Sequence, residues 1–177
     1  MFLKRVSRLA VSVLSIVLLI ALDQITKKIA QASLMGKGTI PVIDDFFMLV
    51  YATNRGGFLS FGSGADSLLW WMFFVVLPLV VLIAFSIYIV TKKKDDWFYL
   101  SFWVFVISGG VGNLIDRTFY GEVIDFMHMN FAIFQTGVFN VADLYLNVFA
   151  FLVVLIYLIR FNKEEPAPAE KRQAEEK

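Results

Sequence analysis

Four apolar segments, each close to the length of a membrane span, constrain this chain more than any other feature. They cover residues 9–25, 68–90, 97–115 and 144–159. A helix needs about 20 predominantly apolar residues to cross the hydrocarbon core of a bilayer. The 177 residues are 59% hydrophobic, with a mean hydropathy of +0.72, which is typical of an integral membrane protein. The sequence therefore predicts one α-helical membrane domain at 1–163 with four transmembrane helices, followed by a disordered cytoplasmic tail at 164–177.

The basic residues predict how these helices are oriented. With four spans, both chain ends and the loop between the second and third helices lie on the same side of the membrane. These three regions carry Lys4, Arg5, Arg8, Lys92, Lys93, Lys94, Arg160 and Lys163. The positive-inside rule assigns that side to the cytoplasm. Both termini are therefore predicted to be cytoplasmic, and two longer loops, at 27–67 and 116–142, are predicted to face outwards.

The first outward loop contains two stretches that favour β-strands. They cover residues 39–43 and 46–53 and lie among glycine and proline residues that are typical of turns. We expect a small sheet or hairpin that lies on the membrane. The second outward segment, 116–142, is interpreted as a polar loop with Gly121 and Gly137 as turn points.

The composition excludes several kinds of chemistry. The chain has no cysteine, and therefore no thiol nucleophile, disulfide or thiolate metal site. A single histidine, His128, provides too few ligands for a typical catalytic zinc site. It is interpreted as a core or interface residue. The net charge is +1 and the charges are segregated by loop, so no nucleic-acid partner is expected. We expect neither a metal nor a cofactor.

Some aromatic and small residues are interpreted as structural. Trp70, Trp71, Trp97 and Trp103 are predicted to be membrane-interface or lipid-facing aromatics. Gly109, Gly110 and Gly112 lie inside an apolar helix with no lysine of a phosphate loop after them. These glycines are predicted to let neighbouring helices approach closely.

Two aspartates at the outward side are the main candidates for chemistry. Asp125 lies in the apolar stretch 123–127, where a free carboxylate is costly to bury. Asp143 stands at the start of the fourth helix, and an ionisable group at a bilayer segment is by default a functional-site candidate. A role for Asp143 as a simple helix cap remains open. If the two carboxylates converge, they would share one proton and form a pair that can activate water.

Other polar residues lie near the same predicted face. Asn113 and Asp116 are three residues apart and share one side of the third helix, as Asn140 and Asp143 do at the start of the fourth. Asp116 and Arg117 are interpreted as a structural ion pair at a helix end, and Arg117 is a candidate to hold a loop in place.

Five short motifs, in this order, resemble those of the lipoprotein signal peptidase (signal peptidase II) family. They are Asp23-Gln24-x-Thr26-Lys27, Asn54-x-Gly56, Gly112-Asn113-x-x-Asp116-Arg117, Gly121-x-Val123-x-Asp125-Phe126 and Phe139-Asn140-x-Ala142-Asp143. One such motif alone would be weak. Five motifs in the family's order, placed correctly relative to the four spans, make a specific signal.

The resemblance implies an aspartyl endopeptidase of the bacterial plasma (inner) membrane. Such an enzyme removes the signal peptide from diacylglyceryl-modified prolipoproteins and cuts before the lipobox cysteine. By this resemblance Asp125 and Asp143 are the catalytic pair. The supporting or substrate-binding residues are then Asp23, Asn54, Gly56, Asn113, Asp116, Arg117 and Asn140. The family's fold also implies a small extracytoplasmic β-cradle, with a loop or short helix over an active site near the outer face. The expected partners are the prolipoprotein and membrane lipid, and the enzyme is expected to be a monomer.

One departure from the family pattern affects substrate fit. Family members commonly follow the Asn-x-Gly motif with Ala-Ala or Ala-Phe and an aromatic residue, whereas this chain continues Gly57-Phe58-Leu59. The acids are unchanged, so the chemistry is expected to be the same. The departure predicts a narrower or altered substrate set near the scissile bond, as in a divergent paralogue.

Two other functions are compatible with parts of the pattern. A divergent homologue that binds lipoproteins without cleaving them would have the same fold, although retention of both acids disfavours it. A small membrane transporter would also place acids in its helices. That alternative expects polar residues through the depth of several helices, whereas the acids here cluster at one face.

Overall fold

The computed structural model consists of four long helices with a three-stranded sheet at one end. It describes residues 2–56, 64, 66–91 and 97–164; the basic loop residues 92–94 and the predicted tail after 164 lie outside this range. Helix α1 is Phe2–Leu34, α2 is Ser67–Thr91 and α3 is Trp97–Tyr120. Helix α4 starts with Val141–Asp143 and ends with Ala150–Glu164. The strands are β1 (Ile40–Ile43), β2 (Phe47–Asn54) and β3 (Val123–Met129).

All four helices are long and apolar enough to cross a membrane, which confirms the predicted multi-pass architecture. Contacts at both ends establish that α1 and α3 run in the same direction, as expected when successive spans along the chain alternate. At one end the guanidinium of Arg8, near the start of α1, lies 5.3 Å from the ring centre of Trp97 at the start of α3. At the other end the ammonium of Lys28 lies 4.5 Å from the ring centre of Tyr120, the last residue of α3. The sheet lies at this second end.

Helix α3 occupies the middle of the bundle because two of its glycines permit close approach. A β-carbon added at Gly109 would lie 2.5 Å from the backbone oxygen of Ala142 in α4. One added at Gly112 would lie 2.7 Å from Oδ2 of Asp23 in α1. No side chain fits at these distances, so the predicted role of the glycines in helix packing is confirmed.

The sheet has the antiparallel order β1-β2-β3. Strands β1 and β2 confirm the two stretches predicted in the first outward loop. The interpretation of 116–142 as a polar loop was wrong over Val123–Met129, which pairs with β2 as the third strand. The error arose because strand pairing across about 70 residues of sequence is a tertiary contact that local propensity does not reveal. The rest of that loop, 130–140, continues to α4.

Two of the four tryptophans are not lipid-facing. Trp71 and Trp97 are exposed, as expected of residues in contact with lipid or interface. Trp70 and Trp103 are only 4% and 6% exposed, and they belong to the apolar core between the helices. Their indole N–H groups explain this placement, since Trp103 donates to Ser86 Oγ and Trp70 donates to the backbone oxygen of Arg55. A buried indole is stable where its N–H has such a partner.

Two of the helices contain a π-helical turn. In α2 the turn is Met72–Val76, and in α4 it is Leu144–Phe149. The first begins two residues after Trp70, and the second begins directly after Asp143. Single π-turns within α-helices occur frequently at functional sites.

Candidate active site

The two predicted catalytic aspartates converge on one residue, Asn140. The Asn140 side-chain amide donates a hydrogen bond of 2.6 Å to Oδ1 of Asp125 on β3. Its backbone N–H donates a hydrogen bond of 3.1 Å to Oδ2 of Asp143 in the first turn of α4. The two carboxylates are therefore neighbours at the sheet end of the bundle, although 18 residues of sequence separate them.

Asp143 owes its position to the start of α4. Asn140 is the N-cap of this helix, and its Oδ1 accepts a hydrogen bond of 3.0 Å from the Asp143 backbone N–H. Together with the Asn140 N–H to Asp143 bond, this forms a reciprocal capping box. The alternative that Asp143 takes part in capping the start of α4 is therefore confirmed. Asp143 also accepts a hydrogen bond of 2.9 Å from the Asn113 side chain of α3, which no cap requires.

Asp125 is more deeply buried than its neighbour. It is 3% exposed and pairs with Ala52 of β2, next to a bulge at which Val50 and Tyr51 together oppose a single residue of β3. Bulges of this kind re-aim side chains beside active sites. Burial and, secondly, the negative charge of Asp143 raise the pKa of Asp125 from 3.8 to about 7. The hydrogen bonds from Asn140 and Asn54 and the charge of Lys27 act in the opposite direction.

A buried ion cluster lies next to the two catalytic candidates. The Lys27 ammonium is 2.9 Å from Asp23 Oδ2 and 2.8 Å from Asp116 Oδ2, and all three side chains are almost fully buried. Gln24 adds a hydrogen bond of 3.0 Å to the other oxygen of Asp116. The interpretation of Asp116 and Arg117 as an ion pair was wrong, because adjacent residues of a helix point in different directions and Asp116 points towards α1.

Asp23 also joins the first helix to the last one. Its Oδ1 accepts a hydrogen bond of 2.9 Å from the backbone N–H of Ala142, which is in the first turn of α4. This N–H has no partner within its own helix, since the first N–H groups of any helix lack one. The first span therefore holds the backbone next to Asp143 in place.

The side-chain amide of Asn113 connects the ion cluster to the catalytic candidates, and its partners fix its orientation. Its Oδ1 accepts from Lys27 Nζ at 3.0 Å and from Asn140 Nδ2 at 3.1 Å. A lysine ammonium cannot accept a hydrogen bond, so the oxygen of the Asn113 amide must face Lys27. The Asn113 NH₂ group then faces Asp143 and donates to it. The orientation of this amide is thus set by the chemistry of its partners.

The predicted residues Asn54, Gly56 and Arg117 form the remaining side of the site. Arg117 Nη2 donates a hydrogen bond of 2.8 Å to the backbone oxygen of Gly56, which confirms its predicted role in holding a loop. The Gly56 N–H donates to Asn54 Oδ1 at 2.9 Å, and the Asn54 side chain also bonds to Asp125. The departure predicted to affect substrate fit, Gly57-Phe58-Leu59, lies outside the described residues.

The structure thus brings all nine predicted site residues into one network and adds two that sequence reasoning had not assigned to the site. Lys27 and Gln24 had been treated only as parts of a motif. The signal for Lys27 was its position four residues after Asp23, which places both side chains on one face of α1. Within the described part of the chain, no group of three or more His, Cys, Asp or Glu side chains is arranged to hold a metal ion.

Several known proteins are similar to this chain over most of its length. The family model described as signal peptidase (SPase) II matches residues 15–159. A lipoprotein signal peptidase of Caldanaerobacter subterraneus is 37% identical over 151 residues, which cover 85% of this chain and 97% of that protein. One from Streptococcus thermophilus is 38% identical over 143 residues, 80% of this chain and 88% of the relative.

Solved structures show the same architecture. One bacterial membrane enzyme, determined by the in meso method at 2.3 Å resolution, superposes with a TM-score of 0.74 and 28% identity over 89% of this chain and 94% of its own. A second, determined by the same method at 1.9 Å resolution, gives a TM-score of 0.73 and 27% identity over 84% of this chain and 92% of its own. The membrane helices and the small sheet are therefore an established fold.

Proposed function

Because the chain belongs to the signal peptidase II family and is a membrane protease, we propose that it removes the signal peptide from diacylglyceryl-modified prolipoproteins by acid–base catalysis at Asp125 and Asp143. The observation that carries this proposal is the convergence of the two carboxylates on Asn140. One is buried and one is partly exposed, so they have different environments within a single site. Pairs of this kind serve as acid and base in hydrolysis.

We assign the proton of the resting pair to Asp125. Its buried position on β3 and the adjacent charge of Asp143 disfavour a second negative charge there. Asp143 receives hydrogen bonds from Asn113 Nδ2 and from the Asn140 N–H, and it lies in the first turn of a helix. Donors and a helix N-terminus both suit a carboxylate that carries the charge.

The reaction then proceeds in balanced steps. Asp143 takes a proton from a water molecule, and the water oxygen adds to the scissile carbonyl carbon while Asp125 gives its proton to the carbonyl oxygen. The resulting tetrahedral intermediate is a gem-diol. Its C–N bond breaks as Asp143 gives its proton to the leaving amine, and one hydroxyl of the former gem-diol gives its proton to Asp125 as the carboxylic acid product forms. The cut is proposed to lie before the lipidated cysteine.

The neighbouring residues support these steps without exchanging protons. The Arg117 guanidinium is attracted by the charges of Asp143, Asp125 and Asp116. It also donates a hydrogen bond to the Gly56 carbonyl. Its position suits a group that lowers the negative potential as charge develops on the substrate oxygen. Asn54 and Asn140 fix the orientation of the Asp125 carboxyl group. The lipid part of the substrate would lie in the bilayer beside the helices, where its acyl chains remain in contact with hydrocarbon.

We infer that the enzyme lies in the bacterial plasma membrane, with its termini in the cytoplasm and its active site near the outer face. The site lies at the end of the bundle away from Arg8 and Trp97. The charge bias of the sequence favours the cytoplasm for the Arg8 end. The outer face is also the side at which exported prolipoproteins expose their lipidated cysteine.

The proposed function predicts cleavage in a purified system. Protein in detergent is expected to convert a diacylglyceryl-modified prolipoprotein into a shorter product, and mass spectrometry is expected to place the new N-terminus at the lipidated cysteine. The same precursor without diacylglycerol is the matched control and is expected to be cleaved far more slowly. A folded protein that binds the modified precursor without cleaving it would instead identify a binding-only homologue.

The shared proton predicts a pH dependence. The raised pKa means that Asp125 is protonated below about pH 7 and loses its proton above that value. We expect kcat/KM to fall above pH 7 by about tenfold per pH unit, because only the singly protonated pair is active. The measurement is the initial cleavage rate from pH 5 to pH 9. A rate that keeps rising to pH 9 would contradict the assignment of the proton.

The same group provides an independent check through stability. Between pH 3.8 and about 7 the folded state holds a proton on Asp125 that the unfolded state has released. The free energy of unfolding should therefore decrease as the pH rises through this window. The variant Asp125→Asn lacks the titrating group and should lose this part of the pH dependence of its melting temperature.

A further inference from the structure

Residues 54–56, at the end of β2, are held by two helices at successive carbonyl groups. The Trp70 indole N–H of α2 donates to the backbone oxygen of Arg55. Arg117 of α3 donates to the backbone oxygen of the next residue, Gly56, at 2.8 Å. A segment after the end of a strand is normally mobile because few groups hold it. Here two hydrogen bonds from two different helices fix it beside Asp125.

The segment matters because it carries Asn54. The Asn54 side chain bonds to Asp125 and accepts from the Gly56 N–H, so the side chain is part of the turn that the two helices hold. Displacement of the Arg55 or Gly56 carbonyl would therefore rotate the Asn54 amide relative to the Asp125 carboxyl group. Trp70 and Arg117 therefore affect the position of Asp125 indirectly, through Asn54.

Trp70 and Arg117 are themselves held by one ring. The centre of the Phe74 ring lies 6.0 Å from the Trp70 ring and 5.8 Å from the Arg117 guanidinium carbon. Phe74 belongs to the π-helical turn Met72–Val76. A π-turn adds one residue to the helical repeat and so rotates the following residues relative to those before it. In this helix the turn begins two residues after Trp70 and contains Phe74, the ring that contacts both Trp70 and Arg117.

We propose that Trp70 is a positioning residue of the reaction: its indole N–H holds the Arg55 carbonyl so that Asn54 is aligned with Asp125. The inference rests on the proposed function of Asp125 and Asp143. It explains why a tryptophan at the start of a membrane helix is only 4% exposed instead of facing lipid. It also assigns to α2, which contributes none of the nine predicted site residues, an indirect part in the geometry of the site.

The test replaces Trp70 by phenylalanine, which keeps an aromatic ring but lacks the N–H donor. The matched control is Trp103→Phe, since Trp103 is almost equally buried and also donates one hydrogen bond, to Ser86, but lies near the far end of the bundle. Both variants should lose a similar amount of thermal stability. Only Trp70→Phe is expected to lower kcat, by about tenfold, as misalignment by one lost hydrogen bond predicts.

A second readout separates positioning from general loosening of the fold. The Asn54 hydrogen bond lowers the pKa of Asp125, which is also faced by Asp143 from α4, by Lys27 from α1 and by Arg117 from α3. Release of Asn54 leaves these three charged groups in place. The alkaline limb of the kcat/KM profile should therefore move to higher pH in Trp70→Phe and stay unchanged in Trp103→Phe.

Several outcomes would overturn the inference. Equal loss of kcat in Trp70→Phe and Trp103→Phe, with unshifted pH limbs, would reduce Trp70 to a packing residue. If Trp70→Phe does not fold in detergent, Phe74→Leu weakens the support of the indole while the N–H donor remains, and it should move the limb in the same direction by less. An unshifted limb in that variant would refute the role. Lack of cleavage by the wild type would refute the proposed function itself, which keeps the two failures distinct.

Discussion

Replacement of Asp125 or Asp143 by asparagine is expected to abolish prolipoprotein cleavage while the protein stays folded. Each variant keeps the size of the side chain and one oxygen that can accept a hydrogen bond, but removes the group that holds or takes the proton. Loss of an essential acid–base group lowers kcat by about 10⁴-fold or more in related hydrolytic mechanisms. The measurement is single-turnover cleavage by purified variants, with the melting temperature recorded in the same detergent.

The control for these variants is Asp66→Asn. Asp66 is exposed and caps α2 by accepting a hydrogen bond of 2.9 Å from the Leu69 N–H, a role that asparagine performs equally well. It should be as active and as stable as the wild type. Retention of more than a few per cent of activity in either Asp125→Asn or Asp143→Asn would exclude a mechanism in which both carboxylates exchange protons.

The replacement of Lys27 by methionine is expected to cause the largest loss of stability in the chain. Methionine has a similar length but no charge, so it leaves the carboxylates of Asp23 and Asp116 close together without their shared cation. Removal of one partner from a buried ion pair typically costs about 3–5 kcal/mol. Activity should fall as well, because Asn113 loses the donor that fixes its amide. The measurement is thermal unfolding in detergent together with cleavage.

Lys28→Met is the matched control, since it makes the same change at the next residue of the same helix. Lys28 is exposed, and its ammonium bonds to the Tyr120 hydroxyl at 3.2 Å. Exposed interactions of this kind contribute little to stability. Similar melting temperatures for the two lysine variants would show that the ion cluster is not needed for folding. An additional test is Lys27→Met combined with Asp116→Asn, which removes one of the stranded charges and should recover part of the lost stability.

The helical part of the fold was predictable because hydrophobic length is a local property of the sequence. Each span is a continuous run of apolar residues, and no contact with another helix is needed to recognise it. The same holds for β1 and β2, in which the strand-favouring residues are contiguous. In β3 the apolar residues at 123, 124 and 126 do not alternate regularly with polar ones, since this strand is buried on both faces at its start. It could be recognised only by its pairing with β2.

The residues of the candidate site were predictable, but the hydrogen bonds and ion pairs between them were not. The polar side chains near one membrane face could be collected from the topology, and the family resemblance separated catalytic from supporting positions. The partner of Asp116 could not be found in this way, because Lys27 is 89 residues away in sequence and the neighbouring Arg117 is a plausible alternative. Trp70 illustrates a similar problem, since a tryptophan at the end of a span looks the same whether it faces lipid or the core.

The ion pair within α1 has a consequence for how this protein is made. Asp23 and Lys27 are on adjacent turns of one helix, with 2.9 Å between their charged groups. During synthesis α1 is made before α3, which carries Asp116, so transfer of α1 into the bilayer can precede that of α3. An isolated charge would resist this transfer, but a pair that neutralises itself within one segment reduces the cost. The nascent α1 can thus reside in the bilayer with its two charges paired before α3 is present. The proposed site is complete only when the last span is present, because the first turn of that span supplies Asp143 and the Ala142 N–H that donates to Asp23.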